Sequence, residues 1–235
     1  MKLRVDRIAL AGLLVLAVFV AGRAWLHQHP EHNPWAPLDL NDPPGWATAR
    51  KVVRLRNDPD ECRATLRRSG VEFTPLPPLE AGQCPRPDRI VLATEAVALR
   101  PARPEATCAV EVGLVLWLRN GVQPAAREFL KSEVVAIEHF GTHSCRRIYG
   151  REGAPWSEHA SGNAIDVAGF LLADGRRISI RNDWAVGRNR GTFLHAVHDA
   201  ACGAFGTVLG PDYNAAHADH FHLDQAGRLG WSLCR

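Results

Sequence analysis

No stretch of this sequence repeats, and no low-complexity tract interrupts it outside one short proline-rich segment, so solenoid and array architectures are excluded. It also lacks a basic stripe. Its 28 Lys and Arg stand against 25 Asp and Glu for a net charge of +3. Part of that excess lies in the first residues, where Lys2, Arg4 and Arg7 outnumber Asp6. The rest is near neutral, which excludes nucleic acid as a partner. No two of its six cysteines stand as C-x-x-C, which argues against cysteine-ligated zinc. Only one long hydrophobic run is present, "IALAGLLVLAVFVAG" at 8–22, and no clean Ala-x-Ala site follows it before "RAWLHQHPEH". A cleaved signal peptide and an uncleaved anchor over 8–26 both fit this pattern, and the missing site favours the anchor.

What is present fits an exported globular chain. Its 235 residues are 46% hydrophobic and 23% charged, enough for one substantial domain. The basic flank "MKLRVDR" stays in the cytoplasm and everything after residue 26 is exported, giving a periplasmic domain held to the inner membrane. Cys62, Cys84, Cys108, Cys145, Cys202 and Cys234 all follow the apolar run, and an even number in an exported domain reads as disulfides. Pairing in chain order (62–84, 108–145, 202–234) would close three local loops and is the expectation here.

Along the chain, 1–26 is the signal or anchor and 27–46, rich in Pro, Asn and His, reads as an extended linker. His27, His29 and His32 there are expected to be solvated. A domain follows over 47–235, divided into an extension (47–107) and a core (108–235). In the extension, a helix is expected within "TARKVVRLRNDPDECRATLRRSG" and a strand at "RIVLATEAVAL", with a loop between. "AVEVGLVLWLRNG" and "VQPAAREFLKSEVVAIEHFG" both show helical spacing, and Asn120-Gly121 reads as a stop, which predicts an αα-hairpin. Short strands are expected at "THSCRRI", "NAIDVAGF", "RRISI", "TVLGP" and "HFHLD", with a helix at "TFLHAVHDAACGAF". The fold class is α+β: a small, mostly antiparallel sheet carrying a metal site, covered by the αα-hairpin and the further helix and stapled by disulfides.

Two segments carry chemistry. In "WSEHASGNAIDV", Gly162, Ile165 and Val167 argue for a turn entering a strand. Asp166 then shares a face with Ala164 and Ala168, and His159 on the turn can reach the space beside it. In "HFHLD", the same alternation puts His220, His222 and Asp224 on one face and Phe221 and Leu223 on the apolar one. Of 11 histidines, His217, His220 and His222 fall within six residues. Such nitrogen and oxygen donors suit zinc.

"SEHASGNAIDV" and "HADHFHLD", with "FLHAVHDAACGAFGTVLGPDYN" between them and a terminal Cys-Arg, resemble the bacterial extensin-like protein C-terminal domain family over roughly 45–235. A more distant resemblance is to the LAS group of zinc peptidases, which includes D-Ala-D-Ala carboxypeptidases and dipeptidases and penicillin-insensitive murein endopeptidases. His159 and Asp166 match their His-x6-Asp motif within the frame S-x-H-x-x-G-x-A-x-D. His217, His220 and His222 reproduce the H-x-x-H-x-H of the murein endopeptidases. That likeness implies one zinc ion per chain on His159, Asp166 and His222, with His220 and His217 as catalytic histidines. The carboxypeptidases place a glutamate three residues before the last ligand; here that position is Asp219, so the base is either His220 or Asp219. Arg146 is the candidate for stabilising an oxyanion, with Arg147 beside it as the alternative. His195, His198 and Asp199 are read as a half-exposed helix face rather than a second site, Glu158 as structural, and Trp156 and Trp184 as cleft or core residues.

The expected function is hydrolysis of peptide bonds in the cell wall, in the stem or cross-link peptides of peptidoglycan, by a zinc metallopeptidase. The alternative is a zinc-containing module that binds cell-wall peptide or carbohydrate in the same cleft without cleaving it.

Overall fold

The computed structural model describes residues 2–80, 82–93, 97–227 and 232–235. Helix α1 (Lys2–Gln28) contains the apolar run, and its Asp6–Gln28 part is long and apolar enough to cross a membrane. Among the described residues nothing covers it, and Ile8, Leu13, Val18 and Phe19 are all exposed. The stretch 27–46, expected as an extended linker, has little regular structure beyond the 3-10 turn Pro30–His32. It is nonetheless strapped to the domain. Leu38 and Leu40 are buried, the Leu40 amide donates to Ser69 Oγ at 2.8 Å, and Lys51 Nζ donates to the Pro30 carbonyl at 2.7 Å.

Two helices follow where one was expected, α2 (Thr48–Leu55) and α3 (Pro59–Arg68). The break is chemical: Asp58 caps α3 by accepting from the Glu61 amide at 3.0 Å, and Pro59 occupies the first turn. Strands β1 (Phe73–Pro75) and β2 (Ile90–Leu92) form an antiparallel pair, while β3 (Ala98–Arg100) belongs to the main sheet. The single strand expected over 89–99 is therefore two strands in different sheets, and residues 94–96 between them lie outside the described residues.

The αα-hairpin is not formed. Helix α4 (Cys108–Trp117) runs on through π-helical turns Leu118–Val122 and Ala126–Leu130 around the short α5 (Gln123–Ala125). The chain then becomes strand β4 (Val134–Gly141). Asn120-Gly121 does not stop the helix because Gly121 serves packing: a Cβ there would stand 2.7 Å from the Ala200 Cβ. The helix ends instead at Lys131, in the left-handed conformation. Beyond it the burial of Val134, Val135, Ala136 and Ile137 starts to alternate, and the Gln123 side chain pairs with both backbone groups of Val134.

The remaining elements are β5 (Ala164–Leu172), β6 (Arg177–Ser179), α6 (Ile180–Asp183), α7 (Asn189–Ala201), β7 (Thr207–Leu209), β8 (Phe221–Asp224) and β9 (Leu233–Cys234). Among the described residues the main sheet has seven strands in the order β3-β4-β5-β8-β7-β9, with β6 also pairing β5. Only β3–β4 and β7–β9 are parallel, so the sheet is mostly antiparallel and the fold is α+β. The expected strand at "THSCRRI" is loop: Thr142 hydrogen-bonds to the Glu105 carbonyl, Cys145 is bridged, and Arg147 makes a single isolated bridge to Trp156. All ten residues of α4 are buried, and Trp117 packs edge-on against Phe170 and Phe205 while donating to the Val197 carbonyl on α7. The core thus lies between α4 with α7 and the inner face of the sheet.

All six cysteines are bridged: Cys62–Cys108, Cys84–Cys145 and Cys202–Cys234. Pairing in chain order holds for the last pair only. The other two cross between the extension and the core, because α3 lies against α4 and the loop at Cys84 lies against that at Cys145. Residues 47–107 are therefore stapled to the rest at two points.

Candidate metal centre

The centre is built where β5 and β8 pair antiparallel, with Asp166 opposite His222 and Ala164 opposite Asp224. The pleat sends Ile165, Val167, Phe221 and Leu223 into the core, all fully buried, and leaves Asp166 and His222 on the other face. His159 arrives from the 3-10 turn Glu158–Ser161, capped at its start by Ser157. Gly162 ends that turn with φ 72, a conformation that favours glycine, and a Cβ there would also meet Arg86 Nε at 3.2 Å. The small Ala164 and Ala168 leave room beside Asp166.

Three donor atoms meet in this space. His159 Nε2 lies 3.1 Å from Asp166 Oδ1 and 3.1 Å from His222 Nδ1, and the last two atoms are 3.0 Å apart. Ligands placed tetrahedrally at ~2.0–2.1 Å from a zinc ion stand about 3.3 Å apart, so the triangle is close to the size of three zinc ligands. No other group of three or more such donors forms among the described residues.

The outward nitrogens are occupied in the way that ligand histidines require. His159 Nδ1 donates to the Thr142 carbonyl at 3.1 Å, and His222 Nε2 donates to Asp224 Oδ2 at 3.0 Å. With a metal bound, these bonds would select in each ring the tautomer whose lone pair faces the ion. Asp224 is itself fixed by the Ala226 amide at 2.8 Å. Burial works against ionised Asp166, but hydrogen bonds from His159 and His222 outweigh it and hold the carboxyl well below the usual range. Burial likewise opposes charge on His222, yet bonds to Asp166 and Asp224 raise its imidazole to about 9. A cation binding here would displace that proton, so metal uptake is coupled to proton release.

Around the triangle lies a cleft of about 410 Å³. Asp219 and His220 precede β8, so strand parity does not govern them. His220 Nδ1 donates to Asp219 Oδ1 at 2.9 Å, and His220 Nε2 stands 3.6 Å from Asp166 Oδ1. Asp219 also lies 3.7 Å from Arg181. His217 Nδ1 donates to Asn214 Oδ1 at 2.8 Å, and Asn214 Nδ2 donates to the Tyr149 hydroxyl at 3.0 Å. Burial, followed by the neighbouring His220 and His222, pushes the His217 imidazole down to about 4. Arg146 lines the cleft from the loop after β4, and its side chain has no hydrogen bond or ion pair among the described residues. Phe140, exposed at the end of β4, packs edge-on against His220.

The other sequence candidates are dispersed. Arg147 stacks over Trp156, 4.5 Å from its ring centroid, at the cleft wall. His195 and His198 both pack on buried Trp184, but His195 is exposed while His198 is buried and reaches the Arg235 carbonyl, and they form no group of converging donors among the described residues. Glu158 pairs with Arg56 at 3.2 Å and with Asn163 at 2.7 Å. Three supporting groups were given no role by the sequence. Asp224 was legible through its parity with His222, and Asn214 through its position three before His217. The Thr142 carbonyl, being backbone, left no signal.

Comparison with curated proteins and with solved structures returns no match. A family model for the extensin-like protein C-terminus does match, over residues 60–235, which takes in α3, both sheets, all six cysteines and every residue of the triangle. With three quarters of its length inside that match, the chain belongs to the extensin-like protein C-terminus family.

Proposed function

We propose that this chain is an exported zinc-dependent peptidase that hydrolyses peptide bonds of the cell wall, in the stem or cross-link peptides of peptidoglycan. The observation that carries the reading is the triangle of His159, Asp166 and His222, with both outward ring nitrogens engaged, facing a cleft that holds a His220–Asp219 pair. His159 Nε2, Asp166 Oδ1 and His222 Nδ1 would hold the ion. Bound there with three protein ligands, zinc would supply a water of pKa about 7 and would polarise a substrate carbonyl.

The remaining work falls to the chain's own groups. Asp219 fixes the His220 ring through Nδ1, leaving Nε2 as the atom that takes a proton from the attacking water and returns it to the leaving amine. His217, neutral and held by Asn214, orients beside it. Arg146 offers the cleft a positive charge for the carbonyl oxygen as negative charge develops there.

Incubating zinc-loaded protein with intact muropeptides and following the products by mass spectrometry tests the reading. Mass losses matching cleaved stem or cross-link bonds are expected, and they should be absent with His220→Ala. Stoichiometric zinc with saturable muropeptide binding but no cleavage would instead establish the cleft as a binding module.

A further inference from the structure

We infer that Trp25, Trp35 and Trp46 form a collar that seats the exported domain on an anionic phospholipid surface beside α1, holding the cleft close to the membrane. The three rings are 46%, 81% and 62% exposed; Trp25 lies in the last turn of α1, and Trp35 and Trp46 in the stretch that follows it. Indole, with an apolar body and one N–H, partitions to the headgroup level of a bilayer. Two of these side chains, Trp25 and Trp46, are also ordered against one another through His32. Trp25 stacks on His32 with ring centroids 5.3 Å apart, His32 stacks on Trp46 at 6.2 Å, and the Trp46 amide donates to His32 Nδ1 at 3.3 Å. The end of the apolar helix is thus joined to the start of α2 by a ladder of rings. Exposed Arg50 and Arg54 lie on α2, and Arg54 bonds the Pro34 carbonyl beside Trp35, supplying positive charge for anionic headgroups.

The chain between span and domain has no slack. Gly45 closes on Glu31 so tightly that a Cβ would stand 2.3 Å from the Glu31 carbonyl oxygen, and Leu38 and Leu40 are buried in the domain. Lys51 holds the Pro30 carbonyl, and Arg56, five residues on, bonds Glu158 at the cleft wall. Lys51 and Arg56 are separated by only ~7.5 Å of helical rise, so two direct contacts and a short rigid segment tie the cleft wall to the end of the span. The partner this geometry fits is a phospholipid interface, and the molecules reaching the cleft are membrane-proximal ones. The inference stands whether the cleft cleaves its ligand or only binds it.

The test uses the full chain reconstituted in vesicles of phosphatidylglycerol and phosphatidylcholine, with bromine at shallow or deep acyl positions. The emission of Trp35 and Trp46 is obtained by difference from the Trp35→Phe/Trp46→Phe variant, in which both exposed rings are replaced by another aromatic. That emission should lose most of its intensity to shallow bromines and less to deep ones. Equal emission in brominated and plain vesicles overturns the inference. So does burial of the same two rings in a dimer found by cross-linking, or a mature exported chain that begins after residue 26.

Discussion

His220 and His222 stand two residues apart, yet their surroundings assign them different work. His222 has a carboxylate on each side and its Nδ1 within 3.1 Å of both His159 and Asp166, whereas His220 is 3.6 Å from Asp166 and turns its Nδ1 to Asp219. On the proposed assignment, His222→Ala loses the zinc, while His220→Ala retains it and loses at least about 100-fold in turnover. Asp219→Asn, which keeps a hydrogen-bond acceptor for His220 Nδ1, should cost less than His220→Ala. Zinc content by elemental analysis beside turnover on muropeptides separates these outcomes. Loss of metal from His220→Ala with retention in His222→Ala would reverse the roles, and an inactive, zinc-replete Asp219→Asn would move the base to the carboxylate. This much of the centre was legible because a strand alternates strictly: parity alone puts His222 and Asp224 on one face, and the register opposite Asp166 has that form. Parity was also applied to His220, but Asp219 and His220 lie before the strand begins and are not governed by it.

At the scale of elements, the sequence misled where one residue served packing rather than punctuation. Asn-Gly after an apolar run commonly ends a helix, and a reading by propensity divides 108–141 there. Tertiary contact decides otherwise, since Gly121 faces Ala200 on α7 at a separation that admits no side chain. A packing position and a stop predict opposite responses to substitution. Gly121→Val should destabilise the fold by about 1–3 kcal/mol through overpacking against α7. Asn120→Ala, exposed in the middle of a continuous helix, should be neutral or stabilising by a few tenths of a kcal/mol. Denaturant unfolding of the two variants measures both, and a loss on Asn120→Ala as large as that on Gly121→Val would mean that the pair acts as a turn. The strand after the helix hid for a related reason. Apolar residues in "SEVVAIEHF" satisfy a helical period as well as an alternating one, and only the pairing of β4 with β5 selects between them.

At the scale of the whole molecule, the disulfides decide how the extension relates to the centre. Pairing in chain order would have made 47–107 a separate stapled unit, but short loops in sequence do not foretell which elements pack together. Cys84–Cys145 reaches from the extension to the loop that presents Thr142 and Arg146. Nearby, Arg86 and Thr142 both donate to the Glu105 carbonyl, and the Thr142 carbonyl receives His159 Nδ1–H. The extension therefore braces His159, a ligand on the proposed assignment. Cys202–Cys234 joins the end of α7 to β9 and touches none of these groups. The two bridges span separations of 61 and 32 residues, and loop-closure entropy makes each worth about 4 kcal/mol. Replacing either pair by alanine should then lower stability to denaturant by similar amounts. Zinc affinity should not follow stability. Freeing the 142–147 loop removes the support of His159 Nδ1, and loss of such outer support typically weakens metal binding about 10–100-fold. Cys84→Ala/Cys145→Ala should show that loss in a chelator competition, at temperatures where it remains folded, and Cys202→Ala/Cys234→Ala should not. Equal zinc affinity in both variants would confine the extension to a purely stabilising part, because the brace would then hold nothing that the centre requires.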